Sequence, residues 1–454
     1  MKYVRSICLA AGLVLAACSS STVPAPEPSG LASAAPAPDA AQAVGAAAFS
    51  EDGLAALSGL MQSFVDDGQV LGAEWVLVQG GEVAQYGAYG LQDAETQTPV
   101  SSDTIYRIYS MTKPITGVAL MQLYEEGKFD LDDPLSKYIP EFADLKVLAG
   151  ENPDGTLILE DLESEPTIRQ AMSHTAGFAY GLFGEDYSNR QFREQGILRS
   201  PDLETLIDRI AEVPLLFQPG ERWSYSVSVD IQAYLVQKLS GVAFDDYLQA
   251  NMFDPLNMDD TGFFVPAADY ERLADLMVWS PEVGKFVPIP TEVSAENGAA
   301  LQYLFREETV AFRAGGHGLV STLDDYARFC QMMLNEGELG GSRIISPETV
   351  ALMTRDHLPE GAGISFSGSQ RNPEEGEPHK FGLDWGVISD PEAMKSPAGK
   401  GTYYWGGAAG TWFWIDPEND LYFIGMIQRF GSDPDANFDP RTTSLNLVYE
   451  ALQN

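Results

Sequence analysis

The residues in this sequence whose types and spacing could do chemistry are Ser110 and Lys113, in the run Ser110-Met111-Thr112-Lys113. In a helix, residues three positions apart lie on the same face, so the lysine amine could reach the serine oxygen. Burial disfavours a charged amine, and a neutral amine can accept the proton of a serine hydroxyl. The spacing therefore predicts an activated serine, although a helix cap followed by a solvated lysine would give the same short pattern.

Such a pair needs a helix to hold it, and the surrounding sequence predicts one. Ser110 follows a strand-like segment, residues 104–109, and precedes the apolar stretch 115–124. Pro114 fits the first turn of this helix, where the backbone N–H groups have no partner within the helix. We expect a buried helix that starts at the serine and carries Lys113 near its beginning.

The composition of the chain excludes one large class of partners. The 454 residues include 27 Lys and Arg against 66 Asp and Glu, which gives a formal net charge of −39. A surface this acidic repels a phosphate backbone, so we expect no nucleic-acid partner. Hydrophobic residues make up 44% of the chain, which is enough for a packed core.

The cysteines and histidines give no sign of a metal site. The 3 cysteines, at positions 8, 18 and 330, form no Cys-x-x-Cys pair, and the 4 histidines, at positions 174, 317, 357 and 379, form no His-x-x-x-His pair. Both spacings are typical of zinc sites. We therefore expect neither a metal nor any other cofactor.

The first 17 residues predict an export signal. Lys2 and Arg5 precede an apolar run, residues 7–17, which is the layout of a secretory signal peptide and is too short to span a bilayer. The run Leu15-Ala16-Ala17-Cys18 resembles the lipobox of bacterial lipoproteins, in which cleavage before the cysteine leaves a lipidated N-terminus. Ordinary signal cleavage, with no role for Cys18, is the alternative.

The segment that follows predicts a tether. Residues 18–49 are rich in Ala, Pro, Ser and Gly, a composition that cannot bury enough apolar surface to fold. We expect a flexible linker here and a folded domain over residues 50–454. Ser19, rather than Asp, follows Cys18. The resemblance therefore implies an exported bacterial lipoprotein anchored in the outer membrane, in the periplasm or at the cell surface, with the membrane as a partner through the lipid.

Strand signals occur at both ends of the folded region. Residues 73–79 and 83–91 are rich in Val, Tyr and Trp and are joined at Gly80-Gly81, which predicts a hairpin. Residues 411–416 and 421–428, of apolar and aromatic character, predict a second antiparallel pair. We expect these segments from the two ends of the chain to form one antiparallel sheet.

Helix signals flank and separate these strands. Ser50 can cap a helix at the start of the folded region, and apolar residues at helical spacing around Val448 predict a last helix. Residues 203–211 and 230–239 predict helices between the strand-rich ends. The roughly 175 residues from about 130 to 305 therefore predict an inserted, mostly helical region.

Six stretches carry a further signal, and they occur in a fixed order along the chain. They are Ser110-Met111-Thr112-Lys113-Pro114, Leu131-Asp132-Asp133-Pro134 with Tyr138-Ile139-Pro140, Ser173-His174-Thr175-Ala176-Gly177, Pro219-Gly220 with Trp223-Ser224-Tyr225-Ser226, residues 315–322, and residues 405–417. Together they resemble the serine β-lactamase and penicillin-binding protein superfamily, most closely its class C-like and β-lactamase-related carboxylesterase branch. The resemblance covers roughly residues 52–454.

The resemblance implies a fold and a catalytic set. The fold is a β-lactamase/transpeptidase-like one of the α/β (α+β) class, with an antiparallel sheet flanked by helices and an inserted, mostly helical subdomain. Ser110 is then the nucleophile and Lys113 its partner. Tyr225 matches the tyrosine that opens the second motif of the family, and it would relay the proton between the serine and the leaving group. A core tyrosine is the alternative for Tyr225.

The third motif of the family matches Trp405-Gly406-Gly407-Ala408. Trp405, Gly406 and Gly407 would then contact the substrate, and two glycines let a substrate approach the backbone closely. The resemblance implies that the N–H of Ala408, with that of Ser110, forms the oxyanion hole. A core tryptophan is the alternative for Trp405.

Two departures from the family pattern bear on the substrate. Where β-lactamases have Tyr-x-Asn this chain has Tyr225-Ser226-Val227, and where they have Lys-Thr-Gly it has Trp405-Gly406-Gly407. The two lost residues hold the amide and the carboxylate of a β-lactam or peptide. A Trp-Gly-Gly third motif is similar to that of β-lactamase-like carboxylesterases, which implies an apolar acyl pocket lined by Trp405.

Three other residues could be taken for catalytic groups. His174 suggests a triad with Ser110, but the resemblance implies a structural loop, so we predict a hydrogen-bonded structural histidine. His317, between glycines, could face the site, and we predict a role in loop packing. Cys330 lies among apolar residues and predicts a buried small side chain.

We predict a serine hydrolase that acts through an acyl-enzyme, and more specifically a carboxylesterase of short or medium acyl esters. The alternatives within this chemistry are a β-lactamase or a D-amino-acid peptidase. A penicillin-binding sensor that is acylated and never turns over is the alternative of a different class. The expected partner is a small-molecule ester or β-lactam.

Overall fold

The computed structural model describes residues 48–289, 305–307, 310, 312–364, 379–433 and 438–453. The helices in these ranges are α1 (Glu51–Asp66), α2 (Thr112–Glu125), α3 (Ile168–Met172), α4 (Tyr187–Glu194), α5 (Leu203–Ala211), α6 (Ser228–Ser240), α7 (Phe244–Leu248), α8 (Asp254–Leu256), α9 (Leu323–Leu334), α10 (Pro347–Met353), α11 (Pro391–Met394) and α12 (Pro440–Ala451). None of the helices in the described ranges is long and apolar enough to cross a membrane.

The strands in the same ranges are spread along the sequence from Gly72 to Phe430. They are β1 (Gly72–Gln79), β2 (Glu82–Asp93), β3 (Thr98–Pro99), β4 (Tyr106–Arg107), β5 (Lys146–Glu151), β6 (Leu157–Asp161), β7 (Met277–Ser280), β8 (Lys285–Pro288), β9 (Val320–Ser321), β10 (Glu338–Leu339), β11 (Ser342–Arg343), β12 (Lys380–Phe381), β13 (Gly386–Ile388), β14 (Thr402–Gly406), β15 (Trp412–Asp416), β16 (Leu421–Ile427) and β17 (Arg429–Phe430).

Eight of these strands form one antiparallel sheet in the order β12-β13-β14-β15-β16-β1-β2-β3. The pairing of β1 with β16, from Ala73 opposite Ile427 to Gln79 opposite Leu421, joins the two ends of the chain. The hairpin between β1 and β2 turns at Gly80-Gly81, whose φ angles of 61° and 75° suit glycine. The prediction of one antiparallel sheet flanked by helices is confirmed.

Both faces of the central strands are covered. Trp75 and Leu77 of β1 pack with residues of α1 and α12 on one face of the sheet. Val76 and Val78, which alternate with them, pack into the larger core on the other face, where α2 and α9 lie. This two-sided burial explains why β1 has an almost unbroken run of buried residues.

The two ends of the folded region meet. Ser50 caps α1 by accepting a hydrogen bond from the N–H of Gly53, as the sequence predicts. The N–H of Ser50 donates to the carbonyl of Ala451 at 2.8 Å, and Phe49 forms a β-bridge with Leu452. Phe49, which the sequence analysis places at the end of the linker, is therefore packed into the fold. The predicted signal segment, Cys18 and the linker up to residue 47 lie outside the described residues.

In the inserted region helices outnumber strands, but much of the chain there lies in neither, and two hairpins occur that the sequence did not predict. The β5–β6 hairpin is tied to the body by a hydrogen bond from the N–H of Leu148 to the carbonyl of Leu215, at 2.8 Å. The β7–β8 hairpin pairs in parallel with β17 through Met277 and Arg429. These strands are four to six residues long, too short for a clear two-residue period.

Candidate active site

Ser110 lies in a tight turn between β4 and α2. The turn is a 3₁₀ helix, Tyr109–Met111, and α2 begins only at Thr112, so Ser110 precedes the α-helix. Tyr109 has a φ of 42°, a left-handed conformation that few residues other than glycine adopt. Its ring packs edge-on against that of Phe430, with centroids 5.2 Å apart. This contact helps to hold the strained residue next to Ser110.

Lys113 is completely buried, and its amine has three oxygen partners. Nζ donates to the carbonyl of Gly316 at 2.7 Å, lies 3.2 Å from the hydroxyl of Tyr180 and lies 3.4 Å from Oγ of Ser110. It also lies over the ring of Tyr225, 4.5 Å from the centroid. The three oxygens belong to neutral groups, and together they fix the amine beside Ser110.

Tyr225 donates its hydroxyl hydrogen to Oγ of Ser110 at 2.8 Å. Its ring is held by other aromatic rings, with centroids 5.0 Å away at His174, 5.3 Å at Tyr180 and 5.7 Å at Trp405. The structure thus brings the three predicted catalytic residues together around the serine oxygen. Their roles in a reaction stay predictions.

His174 supports the chain on either side of Tyr225. Its carbonyl accepts from the N–H of Ser224 at 2.9 Å, and its Nδ1 accepts from the N–H of Ser226 at 3.2 Å. Burial and the positive charge of Lys113 hold the pKa of His174 well below its usual value. The ring is therefore neutral and used in hydrogen bonding, in agreement with the predicted structural role.

Trp405 forms an apolar wall beside Tyr225. It lies in β14 and is buried, with its ring centroid 5.7 Å from Tyr225 and 5.3 Å from Phe381. Because its neighbours are aromatic rings, this side of the site has the apolar character that the sequence analysis expects of an acyl pocket.

The two glycines after Trp405 are explained by contacts within the protein. A side chain at Gly407 would collide with the carbonyl of Ile108 and with the hydroxyl of Thr411. A side chain at Gly406 would collide with the guanidinium of Arg441 and with the carbonyl of Thr411. The sequence analysis expected these glycines to admit the substrate. The space that their side chains would fill is occupied by the turn before Ser110 and by Arg441.

Ala408 begins the turn between β14 and β15 and is exposed. The N–H of Gly407 donates to the carbonyl of Thr411 at 2.7 Å, and the N–H of Gly410 donates to the carbonyl of Gly407 at 3.1 Å. Within the ranges that the structure describes, the Ala408 N–H donates to no backbone carbonyl. A fixed turn with a free N–H suits the predicted oxyanion role of Ala408, which remains a prediction.

Arg441 is a neighbour of this turn that the sequence analysis missed. It lies in the first turn of α12, and its Nη2 donates to the carbonyls of Gly407 at 3.0 Å and Thr411 at 3.4 Å. The arginine therefore braces the two residues that flank the turn. No spacing rule links a helix at the C-terminus to the third motif, so no sequence signal could have found it.

Tyr180 was also missed, and so were Asp230 and Thr116, which position the loop before β9. Oδ1 of Asp230 accepts from the N–H of Gly316 at 3.1 Å, and the hydroxyl of Thr116 donates to the carbonyl of Gly315 at 2.7 Å. These bonds place the Gly316 carbonyl on the amine of Lys113. Burial, with the negative charge of Asp230, raises the pKa of Tyr180 well above its usual value, so its hydroxyl stays protonated.

The other residues that the sequence singled out lie outside this chemistry. Burial lowers the pKa of His317, against the opposing charge of Asp230. The N–H of His317 donates to the carbonyl of Ala314 at 3.4 Å. Cys330 is fully buried, as predicted, and burial raises the pKa of its thiol. The described residues contain no group of three or more His, Cys, Asp or Glu that could hold a metal ion.

A serine held by a buried lysine and a tyrosine, in a fold with a helix-flanked antiparallel sheet, is the arrangement of a serine hydrolase. Sequence comparison agrees, because residues 57–446 match the sequence model of the family described as Beta-lactamase. The chain therefore belongs to the beta-lactamase family, and within it to the serine hydrolases.

Three relatives are similar to most of this chain in sequence. Esterase EstB of Burkholderia gladioli is 31% identical over 79% of this chain and 86% of its own length. Lovastatin esterase of Penicillium rubens is 30% identical over 79% of this chain and 88% of its own length. Protein Rv1367c of Mycobacterium tuberculosis is 33% identical over 82% of this chain and 89% of its own length. The first two names support an esterase-type activity in this fold.

Solved structures show the same fold. The structure of EstCE1, described as a hydrolase with promiscuous acyltransferase activity, superposes with a TM-score of 0.70 at 24% identity, over 88% of this chain and 99% of that one. The unliganded selenomethionyl form of simvastatin synthase from Aspergillus terreus superposes with a TM-score of 0.72 at 22% identity, over 88% of this chain and 98% of the synthase.

Proposed function

We propose that the protein is a carboxylesterase that hydrolyses short or medium acyl esters through an acyl-enzyme on Ser110. The observation that carries the proposal is the position of Oγ of Ser110, 2.8 Å from the hydroxyl of Tyr225 and 3.4 Å from Nζ of Lys113. The names of the two esterase relatives support the same reaction class.

The proposed reaction has two halves. Oγ of Ser110 attacks the ester carbonyl, while its proton passes to the neutral amine of Lys113, either directly or through the hydroxyl of Tyr225, which gives up its own proton as it accepts another. The negative charge on the carbonyl oxygen is stabilised by the N–H groups of Ser110 and Ala408. The alcohol then leaves with the proton, and an acyl-enzyme remains. Water attacks the acyl carbon, gives its proton to the same groups, and releases the acid and free Ser110.

The surroundings of the serine favour an ester over a β-lactam. The third motif offers the indole of Trp405 where β-lactamases have an ammonium, and Val227 stands where they have an amide. Trp405 packs with Tyr225 and Phe381, so this wall is apolar. An apolar wall suits an acyl chain and gives no counter-charge for the carboxylate of a β-lactam.

The test is to incubate the purified protein separately with p-nitrophenyl butyrate and with benzylpenicillin, following product release and intact mass, with Ser110→Ala as control. We expect ester turnover and a butyryl adduct on the Ser110 peptide, both lost in the variant. A stable penicilloyl adduct without ester turnover would establish a penicillin-binding sensor. Turnover of benzylpenicillin with no ester turnover would establish a β-lactamase.

We also propose that the protein is an exported lipoprotein held in the outer membrane through Cys18. The support is the sequence Leu15-Ala16-Ala17-Cys18 before an Ala- and Pro-rich segment. Expression in a bacterial host with a radiolabelled fatty acid should label the wild type and leave Cys18→Ala unlabelled. Label in both proteins, or in neither, would contradict the proposal.

A further inference from the structure

The loop that follows Tyr180 exposes two large apolar side chains next to each other. Leu182 is 55% exposed and Phe183 is 40% exposed. Large apolar side chains with this exposure are few in the described part of the chain, and the others are Ile158, Leu159, Val242 and Val283. Adjacent exposed apolar residues next to a catalytic site indicate a surface that a ligand covers.

The loop is held in place from beneath, so these two side chains have a fixed position. Oδ1 of Asn189 in α4 accepts from the N–H of Gly181 at 2.8 Å. Nη1 of Arg193, also in α4, donates to the carbonyl of Gly181 at 3.2 Å and to that of Gly184 at 3.0 Å. Gly181 and Gly184 have φ angles of 78° and 82°, which glycine adopts without strain. A surface fixed in this way binds with little loss of conformational entropy.

The loop lies on the tyrosine side of the serine. The ring centroid of Phe183 is 6.5 Å from that of Tyr225, whose hydroxyl contacts Ser110. Tyr180, at the start of the same loop, contacts the amine of Lys113. Phe183 therefore stands at the rim of the site, beside the group that is proposed to return the proton to the leaving alcohol, and Leu182 is its neighbour in the chain.

We propose that Leu182 and Phe183 bind the apolar alcohol portion of the ester substrate. The inference rests on the proposed esterase function, because it takes Tyr225 as the group that protonates the alcohol. An alcohol whose oxygen accepts a proton from Tyr225 has its carbon chain next to that ring, and Phe183 is the exposed apolar group there.

The test compares butyrate esters that share one acyl group and differ in the alcohol. Ethyl, hexyl and 2-phenylethyl butyrate are hydrolysed by the full protein, and kcat and KM are measured by acid release. We expect kcat/KM for the two larger esters to exceed that for ethyl butyrate by about tenfold or more, mainly through KM. Phe183→Ala and Leu182→Ala should each reduce this ratio about threefold or more.

Both rates in the ratio are measured on one preparation. A loss of folded protein in a variant therefore affects them equally and leaves the ratio unchanged. Val283→Ala, an exposed apolar residue in the turn between β7 and β8, is the matched control and should keep the wild-type ratio. An unchanged ratio in both loop variants, with active wild type, would overturn the inference and leave the esterase function intact. A change of selectivity among ethyl acetate, butyrate and hexanoate in place of the alcohol ratio would overturn it too, because the loop would then contact the acyl chain. Absence of ester turnover in the wild type would overturn the proposed function itself.

Discussion

Two different groups contact the oxygen of Ser110, a tyrosine hydroxyl and a lysine amine. Tyr225 holds it with a hydroxyl at 2.8 Å, while the amine of Lys113, at 3.4 Å, is bound more closely to the carbonyl of Gly316. The shorter contact supports the prediction that Tyr225 moves a proton to or from the substrate oxygen. Lys113 is held mainly by the protein, so its effect on Ser110 depends on the loop around Gly316.

Tyr225→Phe should affect esters according to their leaving group. General acid–base catalysis contributes about 10²–10⁴-fold, and it matters most when the departing alcohol is a weak acid. We expect kcat/KM for ethyl butyrate, which reports only the steps up to acylation, to fall by at least about 10²-fold, and kcat/KM for p-nitrophenyl butyrate, whose leaving group is acidic, to fall much less. Steady-state kinetics with both esters check this. An equal loss on both, or no loss on the ethyl ester, would show that Tyr225 does not protonate the alcohol.

His174→Asn separates a structural histidine from a catalytic one. The residue has a φ of 56°, which asparagine tolerates, and the substitution removes a ring packed against Tyr225. We expect the free energy of unfolding to fall by about 1–3 kcal/mol. A catalytic base contributes about 10²-fold or more, so a structural role predicts a loss in kcat of less than about tenfold. Thermal unfolding and p-nitrophenyl butyrate kinetics measure both quantities. A folded variant without turnover would indicate that His174 is a catalytic base for Ser110.

The contact between the β14–β15 turn and the turn of Ser110 is made at the carbonyl of Ile108. Gly407 lies against the carbonyl of Ile108, and the Thr411 hydroxyl donates to the same carbonyl at 3.5 Å. The two N–H groups assigned to the oxyanion hole lie on different segments, so their separation depends on this contact. On the β14–β15 turn, Arg441 donates a hydrogen bond to the carbonyl of Gly407.

Gly407→Ala should therefore impair catalysis through geometry. The added methyl group would collide with Ile108 and Thr411 and push the two segments apart. Loss of one oxyanion donor typically costs about 10²–10³-fold in kcat, and we expect a fall of this order. The rate of p-nitrophenyl butyrate hydrolysis gives the measurement.

Gly59→Ala is the matched control for this substitution. Gly59 lies in α1 with open space around it, so an added methyl group meets nothing. The variant should keep full activity and gain roughly 0.5–1 kcal/mol of stability from its helix. Wild-type kcat in Gly407→Ala would show that the oxyanion hole does not depend on this packing.

Four of the eight strands of the sheet, β1, β2, β15 and β16, could be predicted because their signals are local. Residues 73–79 have the apolar content of a strand buried on two faces, and Gly80-Gly81 supplies the turn. Ser50 carries its own capping signal. The β5–β6 hairpin could not be predicted, because Leu157–Asp161 is exposed, acidic and five residues long.

The candidate site was predictable where a residue belongs to a motif with fixed spacing, as Ser110 and Lys113 do. Tyr225 was found through the resemblance and its flanking residues. Tyr180 and Arg441 were not found, because each reaches the site only through tertiary packing, from a loop and from a distant helix. Such contacts leave no pattern in the chain.

The fold buries the carboxyl group of Glu74 inside its central sheet. Glu74 is completely buried in β1, and its Oε1 accepts from the hydroxyl of Tyr86 at 3.0 Å. Burial raises the pKa of Glu74 to about 8. In the unfolded chain the carboxyl returns to its usual value of 4.5, so the folded protein binds an extra proton between these two pH values.

Glu74→Gln should change how stability depends on pH. A raised carboxyl pKa contributes stability that is complete below pH 4.5 and is lost as the pH rises to about 8. Relative to wild type, the glutamine variant should gain up to about 1.4 kcal/mol per pH unit across this window. Urea unfolding of both proteins at pH 5, 6.5 and 8 gives the difference. A difference that does not vary with pH would show that Glu74 titrates normally in the folded state.

The pairing of β1 with β16 also constrains the order in which the molecule can form. Because Ala73 pairs with Ile427, this edge of β1 has no partner in a growing chain until residues 421–427 have been made. Contacts this distant in sequence make folding slow. The central sheet is therefore completed only after β16 has been made. The apolar wall at Trp405 packs against Tyr225 late in folding.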